Sequence, residues 1–340
     1  MVSAIELLVL RACVVVLSAC AVLADGAFAQ NSPAPVPLSV IAFDGGWNIP
    51  LWVAQRQGYF EANGVTVRLN YTPNSGYLID ALVEGRVDIG LALFDNLVAN
   101  QEGQGETGAT GKPDLVAIMG GDGGFLSLVA APGIERFSEL KGRTASVDAM
   151  TTGAAFVLRE LVARNGIANA DIKYERVGGT ADRYRDLIAG KHDATMLRTP
   201  FESLAASRGF HVLGTAEALG AYQGTVGMVR RSWAPAHEAA LIGFLRAYRA
   251  GLDFVCDTSN RTIVEALLVA NIRDMTPALA RQSYDLLLTA NVGLTRDLAV
   301  DSDGIRTVLS LRSKYGTPSK LLSDPSQYLD STYLRKAFGQ

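Results

Sequence analysis

Short apolar runs alternate with helical patterns in the first third of the chain. Val40–Phe43 is an apolar run that stops at a glycine pair, and apolar side chains then recur at helical spacing as far as Gly58. Val65–Tyr71 alternates apolar and polar positions, as a half-buried strand does. Tyr77–Leu82 supplies the apolar face of a second helix, and Val87–Leu93 is a third strand. This order predicts a parallel sheet with helices on its faces.

The same alternation restarts after a glycine-rich segment, Gly120–Gly124. This segment lacks the Lys-Ser/Thr pair of a phosphate-binding P-loop, so we favour a backbone crossing between two domains over a phosphate site. Leu82–Leu93 and Leu187–Leu197 share the order helix, glycine, basic residue, aspartate and strand, which supports two sheet-based domains. The strands predicted for the second domain are Leu126–Ala130, Thr144–Val147, Ile172–Val177, Ala194–Leu197 and Val212–Gly214.

The last third of the chain is predicted to be helical. A strand at Gly224–Val229 is predicted to return the chain to the first sheet, and the helices that follow are Ala239–Val255, Arg261–Leu268, Pro277–Ala290 and Asp303–Tyr315. The fold class is therefore α/β with two lobes joined by a two-segment hinge. Residues 36–121 and 225–340 are assigned to lobe 1 and residues 122–224 to lobe 2. Such lobes can close on a ligand by hinge motion.

The N-terminal segment is typical of an exported protein. Residues 1–29 are predicted to be a signal peptide, because an apolar run follows Arg11 and ends at the A-x-A site Ala27–Ala29. Leu17–Cys20 also matches a lipoprotein cleavage site, which would make Cys20 a lipid anchor, and we favour cleavage after Ala29. Cys256 would then be the one cysteine of the mature chain, which excludes an internal disulfide.

Composition narrows the possible partners. The chain has 340 residues with 49% hydrophobic residues, enough for two domains with substantial cores. The formal net charge of −3 gives no reason to expect nucleic acid as a partner. The histidines His192, His211 and His237 have no metal-ligand spacing, so neither a metal nor another cofactor is predicted.

Three loops of the first sheet lead into helices and are expected to meet at one cleft. Ligands of open α/β sheets bind beyond the carboxyl ends of the strands. The loops are Asp44–Asn48, Thr72–Gly76 and Phe94–Asn96, and each precedes a helix whose free backbone N–H groups favour an anion. The alternative is that their Gly and Asn residues only form turns.

Several motifs spread over most of the mature chain carry a resemblance to a known family. They are Pro50, Ala54, Gly58–Phe60, Gly64–Val65, Ala81–Leu82, Gly85, Asp88–Gly90, Phe137–Arg143, Asp193–Ala194, Tyr328–Asp330 and Tyr333–Leu334. With them the chain resembles the periplasmic substrate-binding proteins of ABC importers of the nitrate/sulfonate/taurine type, a group similar to the NMT1/THI5-like proteins. The resemblance implies a type II periplasmic-binding-protein fold and delivery of a small solute to an ABC permease and its ATPase. A periplasmic, monomeric protein without catalytic activity is expected.

Candidate ligand-binding residues follow from the cleft loops of both lobes. They are Trp47, Asn48, Asn74, Ser75, Gly76, Phe94, Asn96, Asp122, Asp148, Thr151, Thr152, Thr180, Arg198 and Tyr222. Arg198 directly follows an apolar strand, where a charge is costly unless it is paired, and its guanidinium group suits a carboxylate or sulfonate. The alternative is an interdomain ion pair, with Asp148 as one partner considered. Thr151 and Thr152 would either add hydrogen-bond donors for the ligand at a helix start or act only as a helix cap. Trp47 would either stack on a flat ligand or belong to the core.

The function predicted from the sequence is capture of a small organic anion, a sulfonate or carboxylate that can include an aromatic group. The first alternative is a neutral pyrimidine of the thiamine-precursor type, held by Asn48, Asn96 and acidic residues. Some eukaryotic members of the NMT1/THI5-like group are pyrimidine synthases with a Cys-rich iron-binding motif. This motif has no match here, so a pyrimidine-synthase-like enzyme is disfavoured. A sensor that presents a bound solute to a signalling partner stays open as a third possibility.

Overall fold

Two five-stranded mixed sheets with helices on their faces build the molecule. The computed structural model describes residues 34–108 and 114–339, so the predicted signal peptide lies outside the described residues. The strands are β1 (Val36–Ala42), β2 (Val65–Tyr71), β3 (Ile89–Leu93), β4 (Leu115–Gly120), β5 (Ser127–Ala130), β6 (Thr144–Val147), β7 (Lys173–Arg176), β8 (Ala194–Leu197), β9 (His211–Thr215) and β10 (Thr225–Arg230).

Helices connect the strands and form most of the last third of the chain. They are α1 (Ile49–Arg56), α2 (Tyr59–Ala62), α3 (Ser75–Val83), α4 (Phe94–Gln101), α5 (Gly153–Arg164), α6 (Thr180–Ile188), α7 (Phe201–Ala206), α8 (Glu238–Cys256), α9 (Arg261–Asn271), α10 (Pro277–Leu287), α11 (Ser302–Tyr315) and α12 (Thr332–Phe338). No helix in the described ranges is both long enough and apolar enough to cross a membrane.

The first sheet has the strand order β2-β1-β3-β10-β4. β1 pairs in parallel with β2 and β3, as the strand–helix alternation predicts, because each connection passes through a helix. β10 runs antiparallel to both β3 and β4, so the chain returns to the first sheet after building the second. The edge strand β2 is only partly buried, which agrees with its alternating sequence, whereas all six residues of β4 are buried.

The second sheet has the order β7-β6-β8-β5-β9 and repeats this plan. β6 is parallel to β7 and β8, and β5 is antiparallel to β8 and β9. The two sheets with their helices form the two lobes that the sequence predicts. The residues at which one lobe ends and the other begins, near positions 121 and 224, stay predictions.

The glycine-rich segment lies where the chain passes from the first sheet to the second. A Cβ atom on Gly123 would come within 2.2 Å of the Asn291 carbonyl oxygen, and one on Gly224 would come within 2.3 Å of the Gly124 nitrogen. These approaches leave room only for glycine. The segment is thus a crossing rather than a phosphate loop, and it packs against the second crossing near Gly224.

The C-terminal helices cover the first lobe, and one of them also reaches the second lobe. α8 packs on α1 so closely that a Cβ atom on Gly251 would meet the Pro50 carbonyl oxygen at 2.2 Å. α11 contacts both α4 of the first lobe and α5 of the second. Helix α10 ends at Leu287, three residues before the predicted end, and Asn291 then adopts a positive φ of 68°.

Candidate functional site

A central cavity lies where the carboxyl ends of the parallel strands in the two sheets face each other. Its volume is about 30 Å³, which corresponds to one or two water molecules. Direct hydrogen bonds between Asp148 and Ser75 and between Asp95 and Gly153 join the two lobes, so the lobes are closed in this structure. Both sheets contribute the loops around the cavity, as the rule for open α/β sheets leads one to expect. Its walls are formed by Phe43, Trp47, Ser75, Leu93, Asn96, Leu126, Asp148, Thr152, Ala154, Thr180, Arg183 and Arg198.

Arg198 is buried at this cavity, but its guanidinium group is already bound to the hinge. Nη2 donates to both carboxylate oxygens of Asp122 at 2.8 Å, and Nε donates to the Gly124 carbonyl oxygen at 2.8 Å. The partner of Arg198 is therefore Asp122 and not Asp148, the partner considered from the sequence for an interdomain ion pair. The Trp47 ring lies 4.0 Å from the guanidinium carbon, so its face is covered by this cation. Nη1 donates to no residue of the described chain.

Arg183 is the residue that sequence reasoning missed. It is only 3% exposed, and its guanidinium group donates to the Gly178 and Met196 carbonyl oxygens at 2.6 and 3.0 Å and to the Thr180 hydroxyl at 3.3 Å. Its Nε is buried without a partner, and no described carboxylate forms an ion pair with it. Burial lowers the pKa of Arg183 to about 10, so the group is still cationic at neutral pH.

Arg183 escaped detection because it lies inside helix α6, next to the apolar face. Mid-helix arginines normally lie on the solvated face, and periodicity alone gave no reason to place this one elsewhere. The one available signal was its spacing. Arg183 lies three residues after Thr180, the first residue of the helix, and a long side chain there can turn back toward the helix N-terminus and the cleft.

Two helix N-termini at the interface between the lobes are occupied by carboxylates of the opposite lobe. Asp148 accepts a hydrogen bond from the Ser75 backbone nitrogen at 3.1 Å, at the start of α3, and another from the Ser75 hydroxyl. Asp95 accepts one from the Gly153 backbone nitrogen at the start of α5, and Arg312 holds the Asp95 carboxylate with bonds of 2.7 and 2.9 Å. Both helix N-termini therefore bind an anionic group, as helix N-termini generally do, and in each case that group is a carboxylate side chain of the protein itself.

A second cavity of about 240 Å³ adjoins the central one. The two cavities share Ser75, Asn96, Asp148 and Thr152. Asn96 is 5% exposed, and its side-chain amide makes no hydrogen bond to any described residue, which leaves a donor and an acceptor available at the junction. An ion pair between Glu106 and Arg176 lies at the outer wall. We call this space the flanking cavity. The candidate ligand-binding residues from the sequence that line it are Asn74, Ser75, Gly76, Asn96, Asp148, Thr151 and Thr152.

Four candidate residues line neither of these cavities. Asn48 donates to the Phe43 and Gly45 carbonyl oxygens and so shapes its own loop. Phe94 is fully buried and packs edge-to-face on Tyr328, because the first residue of α4 points into the core. The Asp122 carboxylate is bound to Arg198 and to backbone N–H groups of the hinge. Tyr222 is buried, and a Cβ atom placed on Gly153 would lie 2.6 Å from its hydroxyl oxygen.

The described residues contain no group of three or more His, Cys, Asp or Glu side chains that would hold a metal ion. Cys256 is half-buried at the end of α8 and is a free thiol.

Solved structures of several bacterial proteins share this architecture. A protein from Bordetella bronchiseptica RB50 has a TM-score of 0.74 at 18% identity, with 89% of this chain and 96% of that chain covered. The alkanesulfonate-binding protein SsuA from Xanthomonas axonopodis pv. citri, bound to MOPS, has a TM-score of 0.67 at 16% identity, covering 90% and 99%. The periplasmic nitrate-binding protein NrtA from Synechocystis PCC 6803 has a TM-score of 0.74 at 12% identity, covering 90% and 89%.

Sequence comparison places the chain more specifically than these folds do. No curated protein matches the chain in sequence. The family described as NMT1/THI5 like matches residues 48–260, which is more than half of the chain. The predicted resemblance is thus confirmed, and the protein belongs to the NMT1/THI5-like family and has the two-lobed periplasmic-binding-protein fold.

Proposed function

We propose that the protein is the solute-binding component of an ABC importer and captures a small organic anion between its lobes. The family, the two-lobed fold and the sulfonate- and nitrate-binding proteins among its structural neighbours support this class of function. The protein would be exported to the periplasm, and the closed, loaded form would be recognised by a permease with its ATPase. Binding and release are the whole task, and no chemistry on the solute is proposed.

The observation that carries the anion is the unpaired cation Arg183 at the central cavity. Removing a charge from water is costly unless a counter-charge or a full set of hydrogen bonds compensates it. Arg183 has carbonyl and hydroxyl acceptors, and its Nε has no acceptor among the described residues. The Asp148 carboxylate is near enough to act on the Arg183 charge but forms no ion pair with it. A sulfonate or carboxylate would supply both the charge and the missing acceptor.

Arg198 is assigned a supporting role rather than the anchoring role predicted from the sequence. Its charge is already neutralised by Asp122, so it adds little net attraction for an anion. Its Nη1 still carries two N–H donors for which no described residue provides an acceptor. The indole of Trp47 lies on the guanidinium face and shields the hydrogen bonds of Arg198 from water.

The flanking cavity is proposed to hold the organic part of the solute. Its volume of about 240 Å³ exceeds that of the central cavity, and Asn96 lies at the junction of the two. The Asn96 amide and the backbone near Thr151 and Thr152 would orient a polar end. The central cavity is too small to admit a solute while the lobes are closed. The lobes must therefore separate before the solute binds.

A neutral pyrimidine remains the second candidate, and one observation favours it. Asp148 and Asn96 both line the central and the flanking cavity. The amino group of an aminopyrimidine could donate to the Asp148 carboxylate, and the ring could pair with the Asn96 amide. The ligand that Arg183 selects and the ligand that Asp148 selects differ in charge, so they can be distinguished experimentally.

A thermal-shift screen tests the proposal with benzenesulfonate, taurine, benzoate, nitrate and 4-amino-5-hydroxymethyl-2-methylpyrimidine. A true solute at about a thousand times its Kd stabilises the fold by about 4 kcal/mol. We expect an organic anion to give this shift. Arg183→Met should weaken its binding by about 10- to 100-fold, because a charge-assisted hydrogen bond is lost.

The matched control is Arg185→Met on the same helix. Arg185 has a side chain that is 57% exposed and pairs with Asp182, so its loss should leave binding unchanged. A shift with the pyrimidine alone would favour the second candidate. An anion that binds Arg183→Met as tightly as the wild type would refute the assigned anchor.

A further inference from the structure

A third cavity, larger than the other two, lies beside the hinge. Its volume is about 590 Å³, within the range of small-molecule sites. Its walls come from the crossing segment, α7 and β9 of the second lobe and from α10 with the loop that follows it. It shares only Leu126 with the central cavity and no lining residue with the flanking cavity. We call it the hinge cavity.

The charged residues that line the hinge cavity are both acidic. They are Glu202 and Glu217, and the lining residues include neither lysine nor arginine. The remaining wall combines apolar side chains, such as Phe125, Leu286 and Val292, with a few hydroxyl and amide groups. The cavity is thus suited to a molecule with an apolar body and a positive charge, whereas the central cavity carries two arginines.

Glu202 is the group that indicates a ligand. It is only 8% exposed, its Oε1 accepts a hydrogen bond from the Thr199 hydroxyl at 2.8 Å, and its Oε2 has no partner. Arg198, the cation that acts on the Glu202 charge, is already paired with Asp122. Buried carboxyl oxygens are rarely left without a hydrogen bond, and no described residue donates one to Oε2. The Ser203 hydroxyl and the Glu202 backbone N–H lie close enough to the carboxyl group to favour its ionised form. Burial also raises the pKa of Glu202 to about 7.

We propose that the hinge cavity binds a small primary amine with an aromatic or aliphatic body. The ammonium group would donate to the carboxylate of Glu202, which is one of the lining residues, and neutralise its charge. The body would lie against Phe125, Leu286 and Val292. Because the lining residues come from both lobes, the amine would contact both of them.

The probes are tryptamine and its neutral isostere tryptophol, titrated calorimetrically into the full-length mature protein. We expect tryptamine to bind with a Kd below about 1 mM and tryptophol to bind at least about tenfold more weakly. Tryptamine affinity should rise about tenfold between about pH 6 and pH 8, because Glu202 ionises in this interval while the amine stays protonated.

Variants locate the site and separate it from the proposed solute site. Glu202→Gln should weaken tryptamine binding at least about tenfold. The control is Glu84→Gln, an exposed glutamate outside the hinge cavity, which should change tryptamine binding less than about threefold. Arg183→Met should leave tryptamine binding unchanged. The amine proposal can therefore fail while the anion proposal holds, and the anion proposal can fail while the amine proposal holds. If Glu202→Gln does not fold, the contrast between tryptamine and tryptophol on the wild-type protein still decides.

Two results would overturn the proposal. One is that tryptamine, phenethylamine and benzylamine all fail to bind at about 10 mM, where a millimolar ligand would be bound. The other is equal affinity of the wild type and Glu202→Gln for tryptamine, which would mean that the carboxylate does not hold the amine.

Discussion

Arg183 and Arg198 are both buried at the central cavity, but their surroundings assign them different tasks. Arg198 has a carboxylate partner, carbonyl and hydroxyl acceptors and an aromatic ring, so it belongs to the hinge. Arg183 has acceptors for two of its nitrogens and none for the third. At the residue scale, a guanidinium group to which no described carboxylate is hydrogen-bonded is assigned to binding, and one that has such a partner is assigned to structure.

Glu202 has an electrostatic consequence that can be measured without any ligand. Its pKa in the folded protein is raised from 4.5 to about 7 by burial, so ionisation of Glu202 destabilises the fold as pH rises through this interval. Glutamine does not ionise. Glu202→Gln should therefore match the wild type near pH 4 and exceed its free energy of unfolding by up to about 3 kcal/mol near pH 8.

Urea unfolding at a series of pH values measures this difference. The exposed Glu217→Gln is the control and should stay within about 0.5 kcal/mol of the wild type throughout. If the difference in the free energy of unfolding between the wild type and Glu202→Gln stays constant from pH 4 to pH 8, Glu202 does not titrate in this range. That result would contradict the assignment of Glu202 as a buried carboxyl group with a raised pKa.

At the element scale, helix starts of one lobe meet carboxylates of the other. The start of α3 binds Asp148, and the start of α5 binds Asp95, which α11 holds in turn through Arg312. Glu160 on α5 adds a further contact with α11. Although burial opposes its ionisation, hydrogen bonds from Lys314, Tyr315 and Arg164 lower the pKa of Glu160 to about 2. This contact is therefore complete above about pH 4.5 and is lost as pH falls toward 2.

Removing the Asp95 charge should damage the junction of α4, α5 and α11. Arg312 is fully buried, and Asp95→Asn would leave its charge without a counter-ion. We expect the free energy of unfolding to fall by about 3–5 kcal/mol in urea titrations. The control is Glu84→Gln, which removes an exposed ion pair with Arg86 and should cost less than about 1 kcal/mol. A loss below 1 kcal/mol for Asp95→Asn would contradict the buried ion pair.

Most elements were predictable because their signals are local. Helix α8 was expected at Ala239–Val255 and spans Glu238–Cys256, since its apolar side chains recur over five turns. Site residues were less predictable, because they depend on side-chain direction and on distant partners. Phe94 follows a strand end but points into the core, and the contact between Asp148 and Ser75 joins residues that are 73 positions apart.

At the scale of the whole molecule, the alternation of strands and helices predicted two sheets and a hinge, and the structure confirms both sheets. The closed arrangement was not predictable, since it depends on contacts between lobes that no periodicity encodes. Closure leaves about 30 Å³ around Arg183 and a larger space beside it. The anion proposal requires that the lobes open, admit a solute and close again with Arg183 against its charge.

A crystal structure with the anion that gives the largest thermal shift tests this most directly. We predict that a sulfonate or carboxylate oxygen lies about 2.7–3.0 Å from Arg183 Nε, with the organic part in the flanking cavity beside Asn96. An anion bound elsewhere, with Arg183 Nε still unpaired, would contradict the proposed binding site.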